Sequence, residues 1–398
     1  MEFGKNNTPF SEDEFAQRLS STKQAMEAAG LDVLIVCDPA NMNYLTGYDG
    51  WSFYVHQAVI VALSLDKPFW VGRNQDVNGA HLTTVLPEEN VIGYADEYVQ
   101  SMTRHPMQVV ASTIAERGLG SGRIGVEADS YYFTARAQAV LVQELPDAVF
   151  SDAGVLVNWL RSVKSDAEIA LIRQAARITE RIMQRAVDLI DVGVPQSEVA
   201  AAILETGVRG IPGEGGYGGD YPAIMPLMPS GVGTSCPHIT WRDEPFLAQT
   251  GTTVEIAGVR HRYHAPMSRT VYLGTPPQKM LDAAKIVDEG IDAALAAARP
   301  GATAHDVYAA WSAVIARYGI FKESRCGYSF GLNYPPDWGE RTLSLRAGDE
   351  TVLHPNMTIH FMPGLWLDDW GIEISEPIRI TQSDVEQFCT FSRELVVK

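Results

Sequence analysis

Residues 231–274, GVGTSCPHITWRDEPFLAQTGTTVEIAGVRHRYHAPMSRTVYLG, decide the fold and hold most of the chemistry. At their centre TTVEIAGV reads as an apolar strand interrupted by Glu255. A carboxylate is costly to bury as an anion unless something pairs with it, and a cationic substrate would be such a partner. His238, in SCPHIT, carries an imidazole able to take or give a proton near neutral pH. Arg269 and Thr270 close the stretch. Pro266, which follows Glu255 by eleven positions, offers no side-chain oxygen to a ligand.

Outward from this stretch, composition sets the bounds. A chain of 398 residues, 46% hydrophobic, has room for two domains with separate cores. The net charge of -18 argues against nucleic acid or an anionic membrane as partner and suits encounter with a small cation. Cys37, Cys236, Cys326 and Cys389 are scattered, as reduced thiols rather than a disulfide framework or a zinc site would be. The opening MEFGKNNTPFSEDEF lacks a basic start followed by an apolar stretch, and no run of eighteen apolar residues occurs anywhere. A cytoplasmic protein is expected.

Residues 11–30 have the acidic start, helical apolar spacing and terminal Gly30 of an amphipathic helix. LDVLIVCDP reads as a buried strand, NMNYLTGYDG as a turn-rich connection, and HQAVIVALSL with PFWVGR as paired strands. RIGVEADSYYFTARAQAVLVQEL adds another strand and helix, completing an α/β domain over 1–160. A second domain, 161–398, begins with a capping-box signal, Ser165 and Glu168, ahead of a long helix.

The order of RSVKS, the Ala-rich helix, the 231–274 stretch, ARPGATAHDVYAAW and GIEISEPIRIT resembles that of the pita-bread hydrolases: methionine aminopeptidase, prolidase, aminopeptidase P and creatinase. The resemblance covers nearly the whole chain. It implies an α/β N-terminal domain of the creatinase/prolidase type and an α+β pita-bread C-terminal domain. Metal-using members carry five acidic or imidazole ligands; the matching positions here are Glu255, Pro266, Tyr328, Met362 and Ser375. One carboxylate of five survives. Two hard divalent ions need several anionic oxygens or imidazoles, so no metal and no cofactor is expected.

The resemblance to creatinase gives His238 the catalytic proton-transfer role, because its spacing from Arg269–Thr270 matches. Without metal-bound hydroxide, Glu255 is left as carboxylate nucleophile or as the base that activates water. Trp51, Phe53 and Tyr54, in GYDGWSFYVHQ, and Tyr328 in CGYSFG offer aromatic faces to a delocalised cation. Tyr328, His360 and Glu373 complete the expected substrate contacts, and Arg242, Arg262 or Arg325 is available for a substrate carboxylate. Cys236 and Cys326 fall near this region and read as packing residues.

DPANMNYLTGYDGWSFYVHQ, the degenerate metal site and SFGLNYPPDWGE together resemble the ectoine-hydrolysing branch of this family. That likeness implies a small zwitterionic substrate with an amidinium and a carboxylate, opened to N-acetyl-L-2,4-diaminobutyrate in compatible-solute catabolism. It also implies a homodimer acting ahead of a deacetylase, with no nucleic acid or membrane partner. Two alternatives stand beside it. One is a creatinase-like amidinohydrolase of a guanidino compound, against which Ser268 occupies the place of creatinase's catalytic Glu. The other is a non-catalytic binding protein on the same scaffold.

Overall fold

The structure, a computed structural model, describes residues 8–398; residues 1–7, the start of the N-terminal stretch read above, lie outside the described residues. The chain divides into two units between Arg161 and Ser162. Among the described residues, no helix is long and apolar enough to cross a membrane.

The first unit is built on a six-stranded mixed sheet. Its strands are β1 (Val33–Val36), β2 (Ala58–Ala62), β3 (Phe69–Arg73), β4 (Val91–Tyr94), β5 (Arg123–Val126) and β6 (Val149–Asp152), ordered β4-β3-β2-β1-β5-β6. β2 runs antiparallel to both β1 and β3, as HQAVIVALSL and PFWVGR suggest, and the remaining pairs are parallel. Ser11 caps the helix Glu12–Ala28 through its side chain. The stretch expected to be a turn-rich connection instead contains the helix Pro39–Thr46. Asp38 caps it, Pro39 sits in its first turn, and Gly47 ends it at a positive φ of 81°. The signals were present, but the Asn-rich composition masked them.

The second unit opens with the helix Asp166–Leu189, whose capping box pairs Ser165 with Glu168. This helix lies against a long hairpin, β7 (Thr250–Arg260) and β8 (Tyr263–Leu273). Contact is close at Gly258, where a Cβ would meet the Ala175 carbonyl oxygen at 2.4 Å. Thr179 bridges the two elements: its hydroxyl donates to Ala265 O at 2.6 Å and accepts from Gly258 N at 2.8 Å. Val254, Ile256, Ala265 and Met267 share the helix-facing core. Since side chains alternate along a strand, Glu255 and Ala257 point to the opposite face, with Ser268 and Pro266 across from them in register.

A five-stranded antiparallel sheet supplies the other wall. Its strands are β9 (Gly327–Phe330), β10 (Gly339–Ser344), β11 (Thr358–Phe361), β14 (Glu376–Ile380) and β15 (Val385–Gln387), ordered β10-β9-β11-β14-β15. Between β11 and β14 lies a small hairpin, β12 (Leu365–Trp366) and β13 (Gly371–Ile372). The final strand β16 (Val396–Val397) runs parallel to β8. Helices Gln278–Ala297 and Ala304–Arg317 bury Val287, Ile291, Trp311 and Ile315 with Ile359 and Phe361 of β11. Alternation again turns the intervening His360 away, opposite Tyr328 in register. The result is a five-stranded antiparallel sheet and the β7–β8 hairpin with its parallel edge strand β16, with helices on their outer faces, the pita-bread arrangement.

Candidate active site

Arg269 and Thr270 lock the segment 373–376 onto β8. The buried Arg269 guanidinium donates to the carbonyls of Ser268 and Ser375 and pairs with Glu376 at 2.5 Å. Thr270 Oγ1 donates to Glu373 O and accepts from Glu373 N, both at 3.0 Å. These bonds fix Glu373 and Ser375 beside Ser268, and so near Glu255.

Glu255 is 4% exposed, and burial, then the charges of Glu373 and Asp337, push its carboxyl well above the ordinary range. Glu373, 1% exposed, is raised to about 7 by burial, with Lys322 pulling the other way. Among the described residues its Oε1 and the Oγ of neighbouring Ser268 have no well-formed hydrogen-bond partner, although Ser268 is close enough to lower the Glu373 carboxyl. Asp337, on the loop before β10, is also raised, chiefly by burial. Three acids thus gather where burial favours their neutral forms. Lys322 faces Glu373 and is itself lowered to about 8 by burial; its ammonium lies 4.3 Å above the Trp366 ring. Such a site gains from a desolvated cation delocalised over several atoms.

Tyr328 lies against Ala257 and Trp338 in a small apolar cluster beside the acids. Its hydroxyl accepts from Trp338 Nε1 at 2.9 Å and bonds His360 Nδ1 at 3.1 Å. Arg325 stacks over the Tyr328 ring at 4.3 Å. Lys322, Arg325, Arg346 and Trp366 contribute to the walls of an open cavity of about 580 Å³.

Glu255, Tyr328 and Glu373 are therefore drawn together on the inner face. His360, expected as a substrate contact, is wholly buried, and both its ring nitrogens are engaged, Nδ1 by Tyr328 and Nε2 by Ser375. His238 sits on an exposed turn and, among the described residues, has no hydrogen-bond partner. Its loop is nevertheless moored to the site. Met228 N donates to Ile239 O at 3.0 Å, Leu227 pairs with Glu255, and Gly371 N donates to Thr234 Oγ1 at 2.9 Å. Trp51, Phe53 and Tyr54 belong to the first unit, where Trp51 is 57% and Tyr54 63% exposed and the Trp51 and Phe53 rings lie 5.0 Å apart. Cys326 is a packing residue, its thiol pushed up to about 12 by burial.

Sequence reasoning missed Lys322 and Asp337. Asp337 lay in the quoted SFGLNYPPDWGE loop and could have been weighed as a third acid; Lys322 carries no motif.

The five positions where a dinuclear metal site would be built do not fit one. Pro266 has no donor, Met362 only a soft thioether, Tyr328 a phenol whose pKa is raised, and the Ser375 hydroxyl is engaged by Ser268 N and His360. Among the described residues, no group of three or more His, Cys, Asp or Glu side chains could hold a metal ion.

This chain belongs to metallopeptidase family M24, whose pattern spans residues 170–382, and it carries a creatinase/prolidase N-terminal domain over 18–163. It is a hydrolase of that family, whose peptidases cleave C–N bonds. It is 48% identical over 394 residues to the ectoine hydrolase of Halomonas elongata, covering 98% of each chain. An uncharacterized hydrolase/peptidase of Sinorhizobium fredii is 45% identical over 389 residues, again with 98% of each covered. The dipeptidase PepE of Mycobacterium ulcerans shares the fold, with a TM-score of 0.80 at 23% identity over 99% of both chains.

Proposed function

We propose that this protein opens the cyclic amidine ring of ectoine by hydrolysis, without a metal, to give N-acetyl-L-2,4-diaminobutyrate. The observation that carries the reading is the cluster of buried Glu255 and Glu373 with half-buried Asp337, each raised. An amidinium spreads one positive charge over a flat N–C–N unit and would offset the clustered charge of these acids. The 48% identity to an ectoine hydrolase supports the same substrate. The basic wall formed by Lys322, Arg325 and Arg346 suits the carboxylate of that zwitterion.

In this reading the cation favours ionised Glu255, whose carboxylate adds to the electrophilic amidinium carbon and forms a tetrahedral covalent adduct. Glu373 holds the charge of the ring. His238 exchanges protons at the ring nitrogens, which requires its 231–249 loop to fold inward over substrate. Water then releases the product and restores Glu255. The reading includes a homodimer, exposed Trp51 and Tyr54 as substrate contacts, and a deacetylase as the next enzyme.

The test is turnover of ectoine and, separately, creatine by the purified protein, followed by proton NMR. Conversion of ectoine to the N-acetylated diamino acid supports the reading. Conversion of creatine alone, or of neither, rejects it.

A further inference from the structure

Tyr328 offers a hydrogen that the surrounding network has no use for, and the network itself shows why. Its oxygen has two partners, Trp338 Nε1 at 2.9 Å and His360 Nδ1 at 3.1 Å. An indole nitrogen can only donate, so the Trp338 bond has one direction. The His360 bond has two, because a neutral imidazole carries its hydrogen on either nitrogen.

The direction is settled at the far side of the ring. His360 Nε2 lies 2.7 Å from Ser375 Oγ, and that same oxygen accepts from Ser268 N at 2.7 Å. Ser375 is wholly buried, and among the described residues His360 Nε2 is the one acceptor its hydroxyl hydrogen reaches. Were Nε2 protonated, the serine hydrogen would be buried with no acceptor, which native interiors avoid. Either tautomer leaves one hydroxyl hydrogen without an acceptor inside the network; with Ser375 donating to Nε2 and His360 Nδ1–H donating to Tyr328 it is the hydrogen of Tyr328, 9% exposed and beside the acids, rather than that of Ser375, at 0%. Burial lowers His360 to about 3, which keeps the ring neutral in the working range. The tyrosine oxygen then accepts twice, and its own hydrogen points to neither neighbour.

We propose that Tyr328 is the proton donor to the ring nitrogen that leaves, and that Ser375 and His360 are positioning residues that keep its hydroxyl hydrogen free for that nitrogen. The proposal rests on the amidine reading above. In the adduct the carbon carries the Glu255 oxygen and two nitrogens. As one C–N bond breaks, its electron pair goes to the departing nitrogen, which takes the Tyr328 proton and becomes an amine. The other nitrogen forms C=N. Water attacks the same carbon and gives one proton to the phenolate. Expulsion of the Glu255 carboxylate leaves the amide, and the second water proton ends on the freed amine as ammonium. Tyr328 is suited to this step: its ring lies beside Ala257, on the face and strand that carry Glu255. His238, exposed on its turn, then acts on the second water proton alone, carrying it to the freed ring nitrogen.

Two measurements test the proposal. Nitrogen-15 correlation spectra of imidazole-labelled protein, with His360 assigned by loss of its signals in His360→Gln, report the tautomer without any substrate. The expected result is a hydrogen on Nδ1; a hydrogen on Nε2 overturns the proposal whatever the substrate proves to be. Tyr328→Phe keeps the ring and removes the donor, so kcat on ectoine is expected to fall roughly 10²- to 10⁴-fold while KM stays within about threefold. A kcat within about threefold of wild type, in a variant with unchanged melting temperature, overturns it as well. Wild-type protein inert toward ectoine contradicts the substrate reading instead, so the two failures are distinct.

Discussion

Glu255 and Glu373 are both buried, and after burial itself the Glu373 charge is the foremost cause that raises the Glu255 carboxyl. Two acids in that position cannot both ionise cheaply, so they hold protons that a cationic substrate displaces. Substrate binding is therefore expected to release protons near pH 6.5, roughly half a unit below the Glu373 value of about 7. Titration calorimetry with slowly turned-over Glu255→Gln protein, in buffers of different ionisation enthalpy, measures that release through the remaining Glu373. Binding heats independent of the buffer would count against it.

The same carboxyl makes stability depend on pH. Glu373 rises from an ordinary 4.5 to about 7 on folding, so the folded chain binds its proton more tightly than the unfolded chain does. The stability it contributes is complete below about pH 4.5 and is lost as pH rises through about 7. Glu373→Gln removes that dependence. Its melting temperature relative to wild type should climb between those pH values and level off above them; a constant difference across the range would contradict the assignment.

Arg269 is structural, and its removal should show in folding before chemistry. Its side chain is buried with Glu376 at 2.5 Å and bonds five acceptors across β8, β14 and the C-terminal segment. Arg269→Met strands the Glu376 charge, at a cost of about 3–5 kcal/mol. Urea denaturation of both proteins measures it. Loss of activity at unchanged stability would place Arg269 in the chemistry instead.

The sequence made much of this site legible because motifs, rather than periodicity, mark it. Glu255 stands out as an acid in an apolar strand, while Tyr328 and Glu373 follow from the order of the C-terminal motifs. The face each occupies could not be read. β7 and β8 are buried on both sides, so no polar alternation separates the helix-facing residues from the cavity-facing ones. Nor does spacing reveal burial depth: His360 and Tyr328 are cross-strand partners, yet the histidine is the hidden one. Lys322 owes its place to the loop before β9 and to Trp366, a relationship made only by folding. His238 keeps its spacing from Arg269–Thr270, but spacing says nothing of the exposed turn on which it sits.

The central claim is that a buried acid, rather than metal-bound hydroxide, attacks the ring. It is tested most directly by stripping the purified protein with chelator, verifying its metal content, and following ectoine by mass spectrometry under single turnover. An undiminished rate is expected and, on rapid quenching, substrate mass on the peptide containing Glu255. Activity lost on stripping and restored by manganese or cobalt would contradict it.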